Sequence, residues 1–118
     1  MFTPNERIEI IQSSLLELRK KAKRVEVIYS EKDAVDVYKE YNANALIRAI
    51  RDEKDLAYEK EMEKYNLEHG DAKTVFIDVP KPLLKYSSTD CRNNIKKGIY
   101  DGIVPSAIET IKKIMENK

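Results

Sequence analysis

The chain has 118 residues, of which 36% are charged and 42% are apolar, and its formal net charge is +1. This balance excludes a disordered chain and predicts one soluble domain over residues 1–118. The near-neutral charge argues against a generic nucleic-acid binder, and no apolar stretch approaches the roughly 20 residues of a membrane span. Cys91 is the only cysteine, which excludes an internal disulfide and a cysteine-rich zinc site, so we expect a cytoplasmic protein.

The first predicted element is a helix. It begins at Thr3-Pro4-Asn5-Glu6, where a capping box coincides with a proline at the first helical position. Apolar residues recur at helical spacing as far as Leu18, and the cations between Arg19 and Arg24 complement a helix carboxyl end. Such a basic run is typical of a helix terminus, with nucleic-acid binding as the alternative.

The middle of the chain alternates between strand and helix patterns. Val25–Tyr29 is β-branched and short, which predicts a strand. A helix is predicted over Asp33–Tyr41, and the apolar run Ala45–Ile50 predicts a buried parallel strand.

Two further elements follow. Lys54–Glu68 is predicted as an amphipathic helix with Leu56, Met62 and Tyr65 on its inner side, closed by Gly70. Thr74–Val79 then predicts a third strand, which ends at two prolines.

The chain ends in two predicted helices. Ser87 or Ser88 caps a short helix that runs through Lys97, and Pro105 opens the last one. The whole order of elements predicts an α/β fold, with three parallel strands flanked by helices.

The residues that could bind a ligand follow the predicted strands. Ligands of an open parallel sheet bind beyond the carboxyl ends of its strands, where Arg48–Arg51, Pro80–Tyr86 and Ser87–Thr89 are expected. Two guanidiniums and a hydroxyl-rich helix start would suit a phosphate. The alternative is that the arginines form surface ion pairs with Asp52, Glu53 or Asp55, and that the serine is only a cap.

The order of these segments resembles bacterial phosphopantetheine adenylyltransferase along nearly the whole chain. The matching motifs are Phe2-Thr3-Pro4-Asn5-Glu6-Arg7, Val25-Glu26-Val27, Ala43 to Arg51, Asp55-Leu56-Ala57-Tyr58-Glu59, Thr74-Val75-Phe76, Tyr86-Ser87-Ser88-Thr89 and Val104-Pro105. The resemblance implies an incomplete Rossmann-like nucleotidyltransferase fold, of which this chain is the C-terminal part. It also implies transfer of AMP from ATP to 4′-phosphopantetheine, which yields dephospho-CoA in coenzyme A biosynthesis.

The resemblance implies roles for individual residues. Arg48 would contact the phosphate of the substrate, and Ala34 would touch its pantetheine arm. Mg²⁺ would accompany ATP. The residues implied to contact ATP are Ala49, Ile50, Arg51, Glu59, Leu83, Leu84, Lys85, Tyr86, Ser87, Ser88 and Thr89.

The sequence also departs from the family. The family's initial strand, helix and second strand are absent, with the His-x-Gly-His motif, so we assign no catalytic or metal-binding residue and expect this chain to be inactive alone. Asp90-Cys91-Arg92 is closer to nicotinate mononucleotide adenylyltransferases, which leaves that enzyme or a non-catalytic nucleotide-binding remnant as alternatives.

His69 and Cys91 are the remaining reactive side chains. His69 is predicted to be a surface histidine at a helix end, and Cys91 a structural helix residue, because no histidine lies near it in the sequence. In the resembled fold the absent strands lie at the centre of the sheet. We therefore expect either a rearranged sheet or a homo-oligomer that fills the gap.

Overall fold

The structure, a computed structural model, describes residues 1–118 in two units. The helical unit comprises Met1–Tyr29 and Tyr86–Lys118, and the sheet unit comprises Ser30–Lys85. Two such units can be parts of one domain, so the single domain stays a prediction.

The regular structure consists of six α-helices, two strands and a short 3-10 helix over Lys81–Leu83. The first two kinds of element are numbered separately. In chain order they are α1 (Pro4–Ser14), α2 (Leu16–Lys21), α3 (Ala34–Glu40), β1 (Leu46–Ile50), α4 (Glu53–Gly70), β2 (Thr74–Asp78), α5 (Ser88–Lys96) and α6 (Pro105–Glu116). No helix combines the length and the apolar character needed to cross a membrane.

The sheet consists of β1 and β2, which pair in parallel with Leu46 opposite Thr74 and Ile50 opposite Asp78. The helix α4 connects them, as a parallel pair requires. This arrangement confirms the predicted α/β class and the incomplete Rossmann-like sheet.

The predicted number of strands was wrong. Val25–Tyr29, expected as the first of three strands, lies outside the sheet, which has two. Its β-branched residues favour an extended backbone, but a strand also needs a neighbouring strand to bond its N–H and C=O groups. Side-chain propensity alone does not provide that neighbour.

The sheet unit has a small core around α3 and α4, in which Val35, Ile50 and Ala72 are buried. Gly70 was predicted to end α4, but it lies inside the last turn, and the left-handed residue that ends the helix is Asp71, with φ 52°. Gly70 is needed for packing, because a Cβ there would lie 2.3 Å from Cγ2 of Val35.

The helical unit packs α1 against α6, around a core of Ile95, Ala107 and Ile111. The capping box at α1 is confirmed: the Thr3 backbone N–H donates to Glu6 Oε1 at 2.9 Å, and the Glu6 N–H donates to Thr3 Oγ1 at 3.1 Å. These bonds satisfy backbone donors that the first turn leaves without partners.

Candidate functional site

A pocket of about 190 Å³ lies in the sheet unit beside β1. Residues of α3, β1 and α4 form its walls: Ala34, Leu46, Ile47, Arg48, Tyr58, Met62 and Asn66. We call it the β1 pocket. It brings together Ala34 and Arg48, the two residues that the resemblance assigns to one substrate. Leu46, Tyr58, Met62 and Asn66 were not predicted as site residues.

Arg48 is held by Glu59 of α4 through two hydrogen bonds. Its Nε donates to Glu59 Oε2 at 2.9 Å, and its Nη2 donates to Glu59 Oε1 at 2.7 Å. The hydrogen bonds from Arg48 lower the pKa of Glu59 against the opposing effect of burial, and the bond to Glu59 raises the pKa of Arg48. Glu59 is buried, while the Arg48 side chain is 54% exposed. Glu59 therefore fixes the guanidinium of Arg48, while much of the Arg48 side chain remains accessible.

The inner side of α4 is more polar than its apolar pattern predicted. Leu56 and Tyr65, expected to face inward, are each 37% exposed, whereas Glu59 and Asn66 are buried. Glu59 and Asn66 are seven residues apart, close to two helical turns, so they share one face of α4. Buried polar residues have no signature in hydrophobic periodicity, which is why this face was missed.

Asn66 adds a polar group to the β1 pocket. Asn66 lines the pocket, and its Oδ1 is buried without a hydrogen-bond partner. Buried polar atoms are normally paired, so this acceptor is an exception.

Arg51 follows β1 and is bonded to the loop after β2. Its Nη2 donates to the backbone carbonyl of Leu84, and its backbone N–H donates to Asp55 Oδ2 at 3.2 Å. The alternative ion pairs with Asp52, Glu53 or Asp55 do not form, since Arg48 pairs with Glu59 and Arg51 has no ion pair. Arg51 therefore connects the carboxyl end of β1 to the loop after β2.

The other residues of the sheet unit expected near ATP lie around this connection. Ala49 is exposed on β1, and Ile50 is buried, its carbonyl accepting from the Val79 N–H at 2.9 Å. Leu83, Leu84 and Lys85 are exposed in the loop after β2. Their contact with ATP stays a prediction.

The remaining predicted ATP residues lie in the helical unit. Ser87 caps α5, its Oγ accepting from the Asp90 N–H at 3.1 Å, while Ser88 and Thr89 are exposed in the first turn. The Tyr86 hydroxyl donates to Asp101 Oδ1 at 3.5 Å. The serine cap is thus confirmed, and a shared phosphate site with Arg51 stays a prediction.

His69 and Cys91 have structural surroundings. The His69 ring stacks on Tyr65 with a centroid distance of 3.9 Å in the last turn of α4, and its Nδ1 lies 2.8 Å from the Tyr65 carbonyl. Cys91 is half-buried in α5 as a free thiol. As predicted, His69 lies at a helix end and Cys91 lies within a helix.

The residues present do not form a cage for a metal ion. No group of three or more His, Cys, Asp or Glu side chains could hold one, and the buried carboxylate of Glu59 is already bonded to Arg48. Mg²⁺ commonly binds through substrate phosphates and keeps several waters. Mg²⁺ that arrives with a nucleotide therefore stays a prediction.

Parallel strands, a connecting helix and an arginine beside a pocket define an α/β protein of the incomplete Rossmann-like type. No protein-family model matches the chain. It is 33% identical over 93 residues to "Phosphopantetheine adenylyltransferase" of Lactococcus lactis subsp. lactis, a match that covers 78% of this chain and 56% of that protein. The proteins of the same name from Agrobacterium fabrum and Streptococcus sanguinis are each 32% identical. Those matches cover 92% and 99% of this chain and 68% and 71% of the relatives.

The chain belongs to the phosphopantetheine adenylyltransferase family. It spans 56% of the length of the Lactococcus lactis relative.

Proposed function

We propose that this chain contributes the substrate pocket of an adenylyltransferase that moves AMP from ATP to 4′-phosphopantetheine. The products are dephospho-CoA and pyrophosphate, in coenzyme A biosynthesis. One observation carries the proposal: Ala34 and Arg48, which the resemblance assigns to the same substrate, line one pocket.

The reaction makes and breaks one bond at phosphorus. A phosphate oxygen of 4′-phosphopantetheine attacks the α-phosphorus of ATP, and the bond from that phosphorus to the oxygen bridging the β-phosphate breaks. Pyrophosphate leaves with the electron pair. Such transfers depend on positioning and charge neutralisation more than on covalent help from the protein.

Arg48 is the proposed ligand of the acceptor phosphate. A guanidinium has five N–H donors, and the two that bond to Glu59 leave others for phosphate oxygens. Glu59 fixes the direction of the guanidinium, so less side-chain entropy is lost when the phosphate binds. In this proposal Glu59 positions Arg48. The resemblance also implies a direct contact between Glu59 and ATP, which is the second role proposed for this residue.

The pantetheine arm is proposed to lie along β1. The support is that Ala34, which the resemblance assigns to this arm, lines the β1 pocket together with Leu46 and Ile47 of β1.

ATP is proposed to bind beyond the strand ends. In the sheet unit, Arg51 would supply donors to its phosphates. In the helical unit, the resemblance assigns Ser87, Ser88 and Thr89 to ATP, and they lie at a helix amino end, which favours anions. Mg²⁺ would accompany the triphosphate and neutralise part of its charge. A cytoplasmic location also stays a prediction.

Nucleotide binding without turnover is the second candidate for these 118 residues alone. The observation that favours it is the single histidine, His69, which is stacked on Tyr65 rather than placed in a His-x-Gly-His motif. Pyrophosphate release from ATP and 4′-phosphopantetheine separates the two candidates. Turnover by the purified chain supports the transferase, and binding of both substrates without release supports the second candidate.

The acceptor is tested in the same assay. Nicotinate mononucleotide replaces 4′-phosphopantetheine, and the Arg48→Ala variant serves as the matched control for a phosphate-dependent signal. Faster pyrophosphate release with nicotinate mononucleotide than with 4′-phosphopantetheine would contradict the proposed acceptor.

A second copy of the chain is the partner proposed for the exposed face of the sheet. Ile47, Val75 and Ile77 are 67%, 42% and 51% exposed, and they occupy the same face of β1 and β2. Parallel sheets normally have both faces covered. Because the net charge is only +1, two copies would repel each other weakly.

A further inference from the structure

A second pocket lies in the helical unit, and none of its lining residues is assigned to ATP or phosphopantetheine. Its volume is about 400 Å³, within the range of small-molecule sites. Its apolar walls come from the start of the chain, α1 and α6: Met1, Phe2, Ile10, Ile11 and Ile111. We call it the α1 pocket. Arg7 and Arg92 complete its lining.

The interior of the α1 pocket is apolar and continuous with the core. Ile111 is 2% exposed, and Phe2 and Ile10 pack against the core cluster to which it belongs. Met1 and Ile11, in contrast, are 44% and 45% exposed. An apolar ligand would remove this surface from water, which is favourable in proportion to the area buried.

The two arginines of the α1 pocket carry charge without an acidic partner. Arg7 and Arg92 form no ion pair, whereas Arg24 and Arg48 each bond to a glutamate. The Cζ of Arg7 lies 5.6 Å from the Tyr29 ring centroid, and Arg92 donates to Thr89 Oγ1 across a long 3.4 Å. Most of their N–H donors therefore remain for a ligand, and guanidiniums suit carboxylates.

We infer that the α1 pocket binds a small organic acid, with an apolar body against Ile11 and Ile111 and a carboxylate on Arg7 and Arg92. The combination of apolar walls and two unpaired cations selects this chemistry. A free inorganic anion would leave the apolar surface exposed, and a neutral hydrocarbon would leave the guanidinium donors unused. A polynucleotide would need a longer row of cations.

Decanoate is the probe, used below its micelle-forming concentration with the whole chain. We expect saturable binding by calorimetry, with shifts of the Ile10, Ile11 and Ile111 methyl signals in NMR spectra. Acetate and 1-decanol are the matched ligands. Each should bind at least about ten-fold more weakly, because it lacks the apolar body or the charge.

Two variants and a control test the arginines. Arg7→Gln and Arg92→Gln should each weaken decanoate binding about ten-fold, the scale of one charged hydrogen bond. Arg7→Lys and Arg92→Lys should weaken it less, because lysine keeps the positive charge. Arg19→Gln, an exposed cation of the same unit outside the pocket, should leave the affinity unchanged. Circular dichroism of each variant verifies that it is folded.

Several results would overturn the inference. They are equal affinity for decanoate and 1-decanol, equal loss in the Arg19→Gln variant, and methyl shifts confined to residues outside the pocket. Displacement of decanoate by ATP would assign the pocket to the nucleotide. Concentration-dependent dimerisation that excludes decanoate would assign it to a second copy of the chain.

Discussion

Arg48 of β1 and Glu59 of α4 share two hydrogen bonds, of 2.9 Å and 2.7 Å, that join the strand to the helix beside the β1 pocket. The buried carboxylate orients an arginine whose other donors remain accessible.

Glu59→Gln should lower the free energy of unfolding by about 1 kcal/mol, because the variant keeps the shape of the side chain but loses a partly buried ion pair. Urea unfolding measures the change. Glu40→Gln is the control, since Glu40 pairs with Lys32 and both side chains are at least half exposed. An equal effect of the two substitutions would contradict a special role for Glu59.

The stability supplied by Glu59 should depend on pH. Its folded-state pKa is lowered by the hydrogen bonds from Arg48, so its contribution is complete above the unfolded pKa of about 4.3 and is lost as the pH falls through the folded-state value. The difference in unfolding free energy between the wild type and Glu59→Gln should therefore shrink on acidification below about pH 4. A difference in unfolding free energy that grows at low pH would contradict a lowered pKa of Glu59 in the folded state.

Arg51→Ala should weaken ATP binding by about 1.5–3 kcal/mol, the range for a hydrogen bond to a charged group. Titration calorimetry with Mg·ATP measures this loss. Arg19→Ala removes an exposed cation far along the sequence and should have little effect. Unchanged affinity in Arg51→Ala would contradict its assignment to ATP.

Gly102→Ala should destabilise the chain more than Gly98→Ala. Both glycines have positive φ, 83° and 77°, so alanine is strained at each. At Gly102 a Cβ would also lie 2.5 Å from Cδ1 of the Tyr86 ring, whereas nothing lies within 4 Å at Gly98. We expect a cost of about 1 kcal/mol at Gly98 and about 1–3 kcal/mol more at Gly102. Thermal unfolding of both variants gives the comparison, and equal losses would contradict the close contact.

Ile77→Lys should convert an oligomer into a monomer, because it places a charge at the centre of the exposed sheet face. Sedimentation velocity of the wild type and the variant measures the change in mass. Leu67→Lys is the control, since Leu67 is 48% exposed but lies on α4. A monomeric wild type, or an oligomer that Ile77→Lys leaves intact, would contradict the proposed partner.

Local signals in the sequence predicted much of the fold. The capping box at Thr3, the serine cap of α5 and the proline at the start of α6 are set by neighbouring residues, and each is present. The parallel pairing of Leu46–Ile50 with Thr74–Asp78 followed from the alternation of strands and helices. These features depend only on bonds between neighbouring residues and on the rule that parallel strands are joined by a crossover helix.

Features that depend on distant partners were harder to predict. Val25–Tyr29 has the side chains of a strand, but β1 and β2 pair only with each other. The burial of Glu59 and Asn66 depends on Arg48 and on the pocket beside them, and Gly70 is required by Val35 of another helix. None of these relationships produces a regular spacing of apolar residues along one segment of the sequence.

The central claim is that Arg48 gives the β1 pocket its preference for a phosphorylated ligand. Calorimetric titration of the wild type and of Arg48→Ala with 4′-phosphopantetheine and with pantetheine tests it most directly. We predict that the wild type binds the phosphorylated ligand at least about ten-fold more tightly, and that Arg48→Ala binds both equally. An undiminished preference for the phosphorylated ligand in Arg48→Ala would contradict the claim.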